Sequence, residues 1–190
     1  MSEICGIISG LNCPTCEELQ AKAGLAKNIY IGNRDDLDET TPFTYDVDGR
    51  ITDINLQYQT YLYKFCAKDK SASYNQELVT NDNGTKTYTQ TINGLFQQQG
   101  QVPKNVFDAL KEARNLFVVV ETNYSTFEVF FVEMGGEVTA NVKGSGVNIG
   151  DANSWNVTIA HLNAGESKSA PDFLDTDYQT TKTLLESYLI

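Results

Sequence analysis

Residues 116–171 read LFVVVETNYSTFEVFFVEMGGEVTANVKGSGVNIGDANSWNVTIAHLNAGESKSAP, and this stretch decides the fold. Short apolar runs alternate in it with turns rich in Gly, Asn and Asp, which is the pattern of an antiparallel sheet. The pattern predicts strands at 116–122, 126–133, 136–143 and 154–162. The first of them is apolar on both faces and is therefore expected to be buried. The stretch contains no recognisable catalytic or cofactor motif.

The first half of the chain extends the same pattern. Further strands are predicted at residues 26–32, 43–46, 50–56, 57–68, 73–79 and 84–95. Asp48-Gly49 lies between two extended segments and is a strong hairpin signal. Residues 57–68 (QYQTYLYKFCAK) are predicted to form one long strand with apolar side chains on both faces. Residues 84–95 carry alternating threonines, which suit a sheet surface that stays solvated.

Helical patterns are rare. Residues 102–115 predict a helix with Pro103 in its first turn. Its apolar stripe is expected to comprise Val106, Phe107, Leu110 and Ala113, with Lys111 and Glu112 as surface residues. Residues 176–190 are compatible with a short helix or an extended arm, and their apolar end is compatible with docking on a neighbouring molecule or on the chain's own sheet.

Length and composition bound the architecture. The chain has 190 residues, of which 41% are hydrophobic, so it can bury a real core and is not a disordered protein. We expect one β domain at 25–175, preceded by an N-terminal arm at 1–24 and followed by a C-terminal arm or short helix at 176–190. The predicted class is mainly β (α+β), an antiparallel β-sandwich or half-barrel with one flanking α-helix.

The charge excludes several classes of protein. The formal net charge is −11, and the 14 basic residues are scattered rather than gathered in a stripe. Such a surface repels nucleic acid and anionic membranes, so ordinary groove binding to DNA is not expected. The longest apolar run, 116–120, is too short to span a bilayer, and no signal peptide is visible. Synthesis and folding in a reducing cytoplasm are expected.

Four cysteines need an interpretation: Cys5, Cys13, Cys16 and Cys66. Cys13 and Cys16 form a CxxC pair, which with the other two could close a tetrahedral zinc site. No second CxxC is present, and no βαβ pattern surrounds the pair as a redox motif would require. Reduced structural thiols, or a disulfide formed after release from the cell, are the preferred interpretation.

Catalytic patterns are missing. The single histidine, His161, is expected to line a core face, and no nucleophile motif or phosphate-binding loop accompanies it. The loop aspartates Asp35, Asp36 and Asp38 are expected to be solvated. A second group, Asp46, Asp48 and Asp53, lacks the order of a calcium loop and is better explained by the hairpin. We therefore expect no enzyme activity, no cofactor and no metal.

Aromatic residues offer a binding alternative. Tyr58, Tyr61, Tyr63 and Trp155 could form stacking surfaces for a carbohydrate or a protein partner. Strands enriched in aromatic residues more often bury them, so sheet core is the preferred interpretation of all four.

Short glycine-anchored motifs in 118–173 resemble a known family. They are Glu137-Val138-Thr139, Ser145-Gly146, Gly150-Asp151, the strand 155–159 and Ala170-Pro171. Together with the preceding helix and buried strand, they are similar to the tail tube (major tail) proteins of long-tailed bacteriophages, especially those of Bacteroidetes-type hosts. The first half matches mainly through residues 26–34 (AKNIYIGNR), and the cysteine-bearing arm has no counterpart.

The resemblance implies a structural virion protein, located in the phage tail and assembled in the host cytoplasm. Its partners would be copies of itself in stacked hexameric rings, and other tail proteins. Sheets would join across subunits, and DNA would pass through the lumen without specific binding. Residues 84–95 or 57–68 are candidates for the lumen wall, and the loop 33–42 and both termini for ring-to-ring contacts. A collar, tail-terminator or capsid decoration protein is the alternative within virions.

Overall fold

A computed structural model describes residues 25–68, 71–145, 153–161 and 165–189. Its strands are β1 (Leu25–Asn33), β2 (Phe43–Tyr45), β3 (Ile51–Ile54), β4 (Tyr63–Cys66), β5 (Ser73–Thr80), β6 (Lys86–Phe96), β7 (Leu116–Thr122), β8 (Phe127–Phe130), β9 (Glu137–Gly144), β10 (Ser154–Ala160) and β11 (Asp172–Phe173). The helices are α1 (Gln101–Leu110) and α2 (Tyr178–Ser187). Neither helix is long and apolar enough to cross a bilayer, within the part of the chain described.

The strands form two stacked sheets. The larger sheet has seven strands in the order β2-β3-β11-β8-β7-β1-β4, and the smaller has four in the order β5-β6-β10-β9. Neighbouring strands are antiparallel, except for the short parallel contact of β11 with β3. The predicted mainly β, sandwich-like fold is thus confirmed.

One core lies between the two sheets. Its centre comprises Ile29 of β1, Val118 of β7, Ile92 of β6 and Val157 of β10, all buried. α1 closes one side of this core, because the ring of Phe107 stacks on Trp155 with centroids 4.8 Å apart. Burying each such side chain contributes about 1.5–3 kcal/mol to folding.

A second core lies on the opposite face of the larger sheet, beneath α2. Leu185 of α2 is completely buried against this face, which also presents Phe117 and Val119 of β7. α2 begins with a capping box. The Asp177 carboxylate accepts a hydrogen bond from the Thr180 N–H, and the Thr180 hydroxyl oxygen accepts one from the Asp177 N–H. β7 therefore lies between two layers, and all seven of its residues are buried, as predicted.

The C-terminal apolar residues therefore dock on the chain's own sheet. Leu184, Tyr188 and Leu189 pack against the second core, and Leu189 forms a bridge with Leu62. Of the two predicted alternatives, the short helix on its own sheet is observed. The role of the C-terminus in ring-to-ring contacts stays a prediction.

Two predicted hairpins are present. β2 and β3 pair across a turn in which Asp46 accepts hydrogen bonds from the Asp48 and Arg50 backbones, and Gly49 has a φ of +85°. β5 and β6 pair along eight residues, from Ser73 opposite Asn93 to Thr80 opposite Lys86.

The predicted long strand at 57–68 is wrong. Residues 57–60 form a turn closed by the Thr60 N–H on the Gln57 carbonyl, and Gln59 has a φ of +64°. β4 keeps only four residues of the prediction and pairs with β1 alone. The helix prediction at 102–115 is also too long, since α1 ends at Leu110, and Val106 lies outside the buried stripe.

Candidate functional site

The face of the smaller sheet that points away from the larger one is the candidate functional surface. Paired residues of an antiparallel sheet share a face, and successive residues alternate. Because Ile92 and Ile159 point into the core, Thr91 and Ala160 point outward. We call this surface the outer face. Its residues are Ser73, Asn75, Glu77, Val79, Thr87, Thr89, Thr91, Asn93, Leu95, Glu137, Ala140, Val142, Asn156, Thr158 and Ala160.

The outer face is polar but nearly uncharged. Its charged members are Glu77 and Glu137, and it contains no lysine or arginine. Lys143, the basic residue of β9, pairs with Trp155 and points to the other side, where its ammonium lies 5.2 Å from the Trp155 ring centroid. The predicted threonine surface of 84–95 is therefore half-exposed on this face, as expected from its alternation.

The two glutamates lie toward one end of this face, and Leu95 and Val142 lie at the other. The register places Asn75, Thr91, Ala160 and Glu137 in one cross-strand row, and Glu77 lies next to that row toward the β5–β6 turn. Leu95, Asn156 and Val142 form a row at the opposite end.

The two edges of the smaller sheet run in opposite directions. The sheet has four antiparallel strands, an even number, so β5 and β9 at its edges are antiparallel to each other. The β9 edge of one molecule can therefore continue the ladder onto the β5 edge of the next by simple rotation. Each edge carries an exposed apolar side chain, Leu78 at 52% and Val142 at 60% exposure.

β5 offers backbone donors at its free edge. At the hairpin turn the Asn81 N–H donates to the Thr85 carbonyl at 2.8 Å. Hydrogen-bonded and non-hydrogen-bonded pairs alternate along an antiparallel ladder, so the N–H groups of Gln76 and Leu78 point away from β6. The contacts of Tyr88, which lies opposite Leu78, support this assignment. Its N–H donates to the Glu166 carbonyl and its carbonyl accepts the Glu166 N–H, on the side of β6 that faces away from β5. An eight-residue edge with outward donors is a template for another strand.

A buried polar cluster supports the smaller sheet from below. The Glu166 carboxylate accepts hydrogen bonds from the backbone N–H groups of Glu133 at 2.7 Å and Met134 at 3.1 Å. Glu133 in turn accepts two bonds from Ser167. Burial raises the pKa of the Glu166 carboxyl, and the two backbone donors oppose that shift. The cluster fixes the segment 165–172 against the corner after β8.

His161 belongs to this cluster. Its Nδ1 lies 3.0 Å from the Gly135 carbonyl oxygen, which can only accept, so Nδ1 carries the proton. Nε2 lies 3.5 Å from a Glu166 carboxyl oxygen. Burial lowers the pKa of His161, which favours the neutral ring. The ring edge packs on Phe131, so the prediction that His161 lines a core face is confirmed.

A cleft of about 560 Å³ opens between the β2–β3 hairpin and the segment 166–172, which contacts β5 because the Gln76 side-chain oxygen accepts the Ala170 N–H at 2.9 Å. Its walls are the β2–β3 hairpin with Tyr45, the corner residue Glu133, and the segment 165–172. Gln90 forms part of the lining and is itself held in place, because its side-chain oxygen accepts the Phe131 N–H at 2.8 Å. We call this space the β5 cleft.

The four aromatic residues singled out in the sequence separate into two groups. Trp155 is buried in the core, as preferred. Tyr58, Tyr61 and Tyr63 are exposed, at 90%, 39% and 48%, so the core interpretation is wrong for them. The turn at 57–60 and the edge position of β4 turn these rings toward solvent.

The aspartates and Cys66 have local structural contacts. Asp35 accepts a hydrogen bond from Asn115 and Asp36 from Asn33, whereas Asp38 accepts from the backbones of Thr40 and Thr41. Leu37 within this otherwise exposed loop is buried. Cys66 is an exposed free thiol, and Cys5, Cys13 and Cys16 lie outside the described residues. In the described segments no three His, Cys, Asp or Glu side chains are grouped to hold a metal ion.

Sequence reasoning missed Glu166 and Gln90. Glu166 lies in the polar run AGESKSAP and Gln90 in a strand of threonines, so neither is preceded by a pattern that predicts burial. Their positions depend on contacts with residues more than 30 positions away along the chain.

No protein-family model, curated protein or solved structure matches this chain.

Proposed function

We propose that this protein is the subunit of a bacteriophage tail tube, which assembles into stacked rings around a channel for DNA. The observation that supports the proposal most directly is the outer face, a surface without lysine or arginine that lies between two open edges of opposite direction. The family resemblance of residues 118–173 points the same way.

Ring closure follows from the edges. When β9 of each protomer pairs with β5 of the next, every seam is the same contact repeated by rotation, as a cyclic assembly requires. Closure also removes the exposed edges that a lone sheet presents. Six copies, the number that the resemblance implies, would turn the outer faces into one continuous inner wall.

The electrostatics of such a wall suit transport. Affinity for DNA comes mainly from lysine and arginine side chains that displace counterions from phosphates. A wall of Thr, Asn, Ser and Ala, with Val79, Leu95, Val142 and two glutamates per protomer, offers no such groups. A nucleic acid would therefore pass along it without adhering.

Electron microscopy of the purified protein tests the proposal. Negative-stain images at high protein concentration are expected to show rings or tubes on the order of a hundred ångströms wide, as six such domains imply. Single rings that never stack would favour a collar, tail-terminator or decoration protein instead. Strict monomers at high concentration would contradict the tail tube proposal.

The exposed tyrosines favour one alternative from another class. Tyr58, Tyr61 and Tyr63 lie outside the core and are available to stack on sugars or on a protein. Binding of the monomer to a glycan array, lost when Tyr58 and Tyr61 are replaced by alanine, would support a carbohydrate-binding module.

A further inference from the structure

The two open sides of the sandwich, one next to β5 and one next to β9, differ in shape. On one side, Tyr74 of β5 lies over β8, with its ring 4.9 Å from that of Phe130 and its hydroxyl donating to Glu128 at 3.1 Å. β11, β3 and β2 lie beyond β8 in the larger sheet, and Tyr45 of β2 and Asp172 of β11 line the β5 cleft. On the β5 side, the larger sheet therefore projects beyond the smaller sheet, and the surface is concave.

The side next to β9 is convex. α1 fills the space between the β9 and β4 edges, where the Asn141 side chain donates to the Phe107 carbonyl at 2.8 Å and Phe65 of β4 contacts the Phe107 ring. Val102 and Val106 lie one turn apart on α1 and remain exposed, at 74% and 43%. Exposed valines with this spacing form an apolar stripe that has no cover within the described chain.

The two sides also differ in charge. The segments 63–68, 101–115 and 137–145, which build the convex side, contain six basic and three acidic residues. The segments 43–54, 73–80 and 165–172, which build the concave side, contain two basic and six acidic residues. Opposite charge on opposite sides favours head-to-tail association of identical molecules.

We propose that α1 of one protomer docks in the β5 cleft of the next. This contact lies beneath the junction at which β9 of the first protomer pairs with β5 of the second. This inference rests on the proposed ring assembly and names the partner of the cleft, a second copy of this chain. α1 lies under β9, where Asn141 donates to the Phe107 carbonyl, and the cleft wall contacts β5 through the Ala170–Gln76 hydrogen bond. Pairing of the two edges would therefore bring the helix toward the cleft. The Val102–Val106 stripe then gains the cover that it lacks within the described residues.

Photocrosslinking tests the contact directly. Tyr45, on the cleft wall, is replaced by benzoylphenylalanine, and a mixture of ¹⁴N- and ¹⁵N-labelled protein is assembled and irradiated. Adducts between differently labelled chains are expected on the tryptic peptides 87–104 and 105–111, which contain α1. The same probe at Tyr58, which lies outside the cleft, serves as the control and is expected to give none. Assembled particles whose Tyr45 probe labels no α1 peptide would overturn the inference and leave the proposed function intact.

A matched pair of variants tests the stripe. Val102→Glu and Gln101→Glu each add one carboxylate to the first turn of α1, but only the first lies in the stripe. Val102→Glu is expected to raise the concentration for half-assembly at least about tenfold, and Gln101→Glu to change it less than about twofold. Equal effects of the two would contradict the docking of α1. A wild-type protein that forms no assemblies at all would refute the proposed function, and this inference with it.

Discussion

Individual carboxyl groups set how the stability of this protein depends on pH. Burial raises the pKa of Glu128, whereas the hydrogen bond from Tyr74 lowers it, and the first effect is larger. Burial, together with the contact with Glu128, raises the pKa of Tyr74 to about 12. A carboxyl group whose pKa is higher in the folded state stabilises the fold at low pH, and this contribution is lost as pH rises through the folded pKa.

Glu128→Gln should therefore stabilise the monomer more at about pH 8 than at about pH 4. Glutamine keeps an acceptor for the Tyr74 hydroxyl but has no charge to desolvate. Thermal unfolding of both proteins at the two pH values measures the difference. Glu39→Gln, in an exposed loop, is the control, and an equal shift of the midpoint at both pH values would contradict the explanation.

Phe107 is the residue that holds α1 in place. It is fully buried and contacts the rings of Phe65, Phe96 and Trp155. Phe107→Ala is expected to lower the free energy of unfolding by about 3–5 kcal/mol, because it leaves a cavity between helix and sheet. Val106→Ala, one position earlier and exposed, should change it by less than about 0.5 kcal/mol. Urea titration of the two variants decides whether the helix depends on this one ring.

Residue-level prediction succeeded where local chemistry is sufficient. Asp48-Gly49 predicts its hairpin because glycine adopts the positive φ that the turn needs, and the unbroken apolar run of β7 predicts burial on both faces. It failed where burial depends on distant contacts. Glu166 is polar yet buried because backbone donors from residues 133 and 134 surround it, and no local pattern announces them.

At the scale of elements, the failed strand at 57–68 shows the same limit. Alternating tyrosines predict a strand there, but Leu62 bonds to the C-terminal end of α2, since its N–H donates to the Tyr188 carbonyl. That contact joins segments more than 120 residues apart, and the chain turns at 57–60 to make it. In the strand predicted at 154–162, alternation alone puts Trp155, Val157 and Ile159 on one face, and all three are buried in the core between the sheets.

The free edge of β5 is the element on which the proposed assembly depends. Leu78→Pro removes an outward N–H without removing a bond of the β5–β6 ladder, so the monomer should fold while association fails. Leu78→Ala removes the same side chain but keeps the N–H, and it should assemble better than the proline variant. Analytical ultracentrifugation of both gives the comparison. Equal assembly of the two would show that β5 does not pair across molecules.

At the scale of the whole molecule, the outer face predicts how the assembly treats DNA. Thr89→Lys places one ammonium per protomer on this face, without touching the core or either edge. Assembled Thr89→Lys protein is expected to bind short double-stranded DNA, with affinity that falls steeply as salt rises, whereas Thr89→Gln should bind no more than wild type. Fluorescence anisotropy with labelled DNA measures both. If wild-type assemblies bind DNA as tightly as the lysine variant, the outer face is not the channel wall.

The uneven distribution of residues along the outer face has a consequence for a finished tube. The row with Glu137 lies toward the β5–β6 turn, and the row with Leu95 and Val142 lies at the opposite end. If the proposed rings stack head to tail, every ring would place its outer-face glutamates nearer the same end of the tube. A polyanion would then meet a higher entry barrier along this face at the glutamate end than at the other.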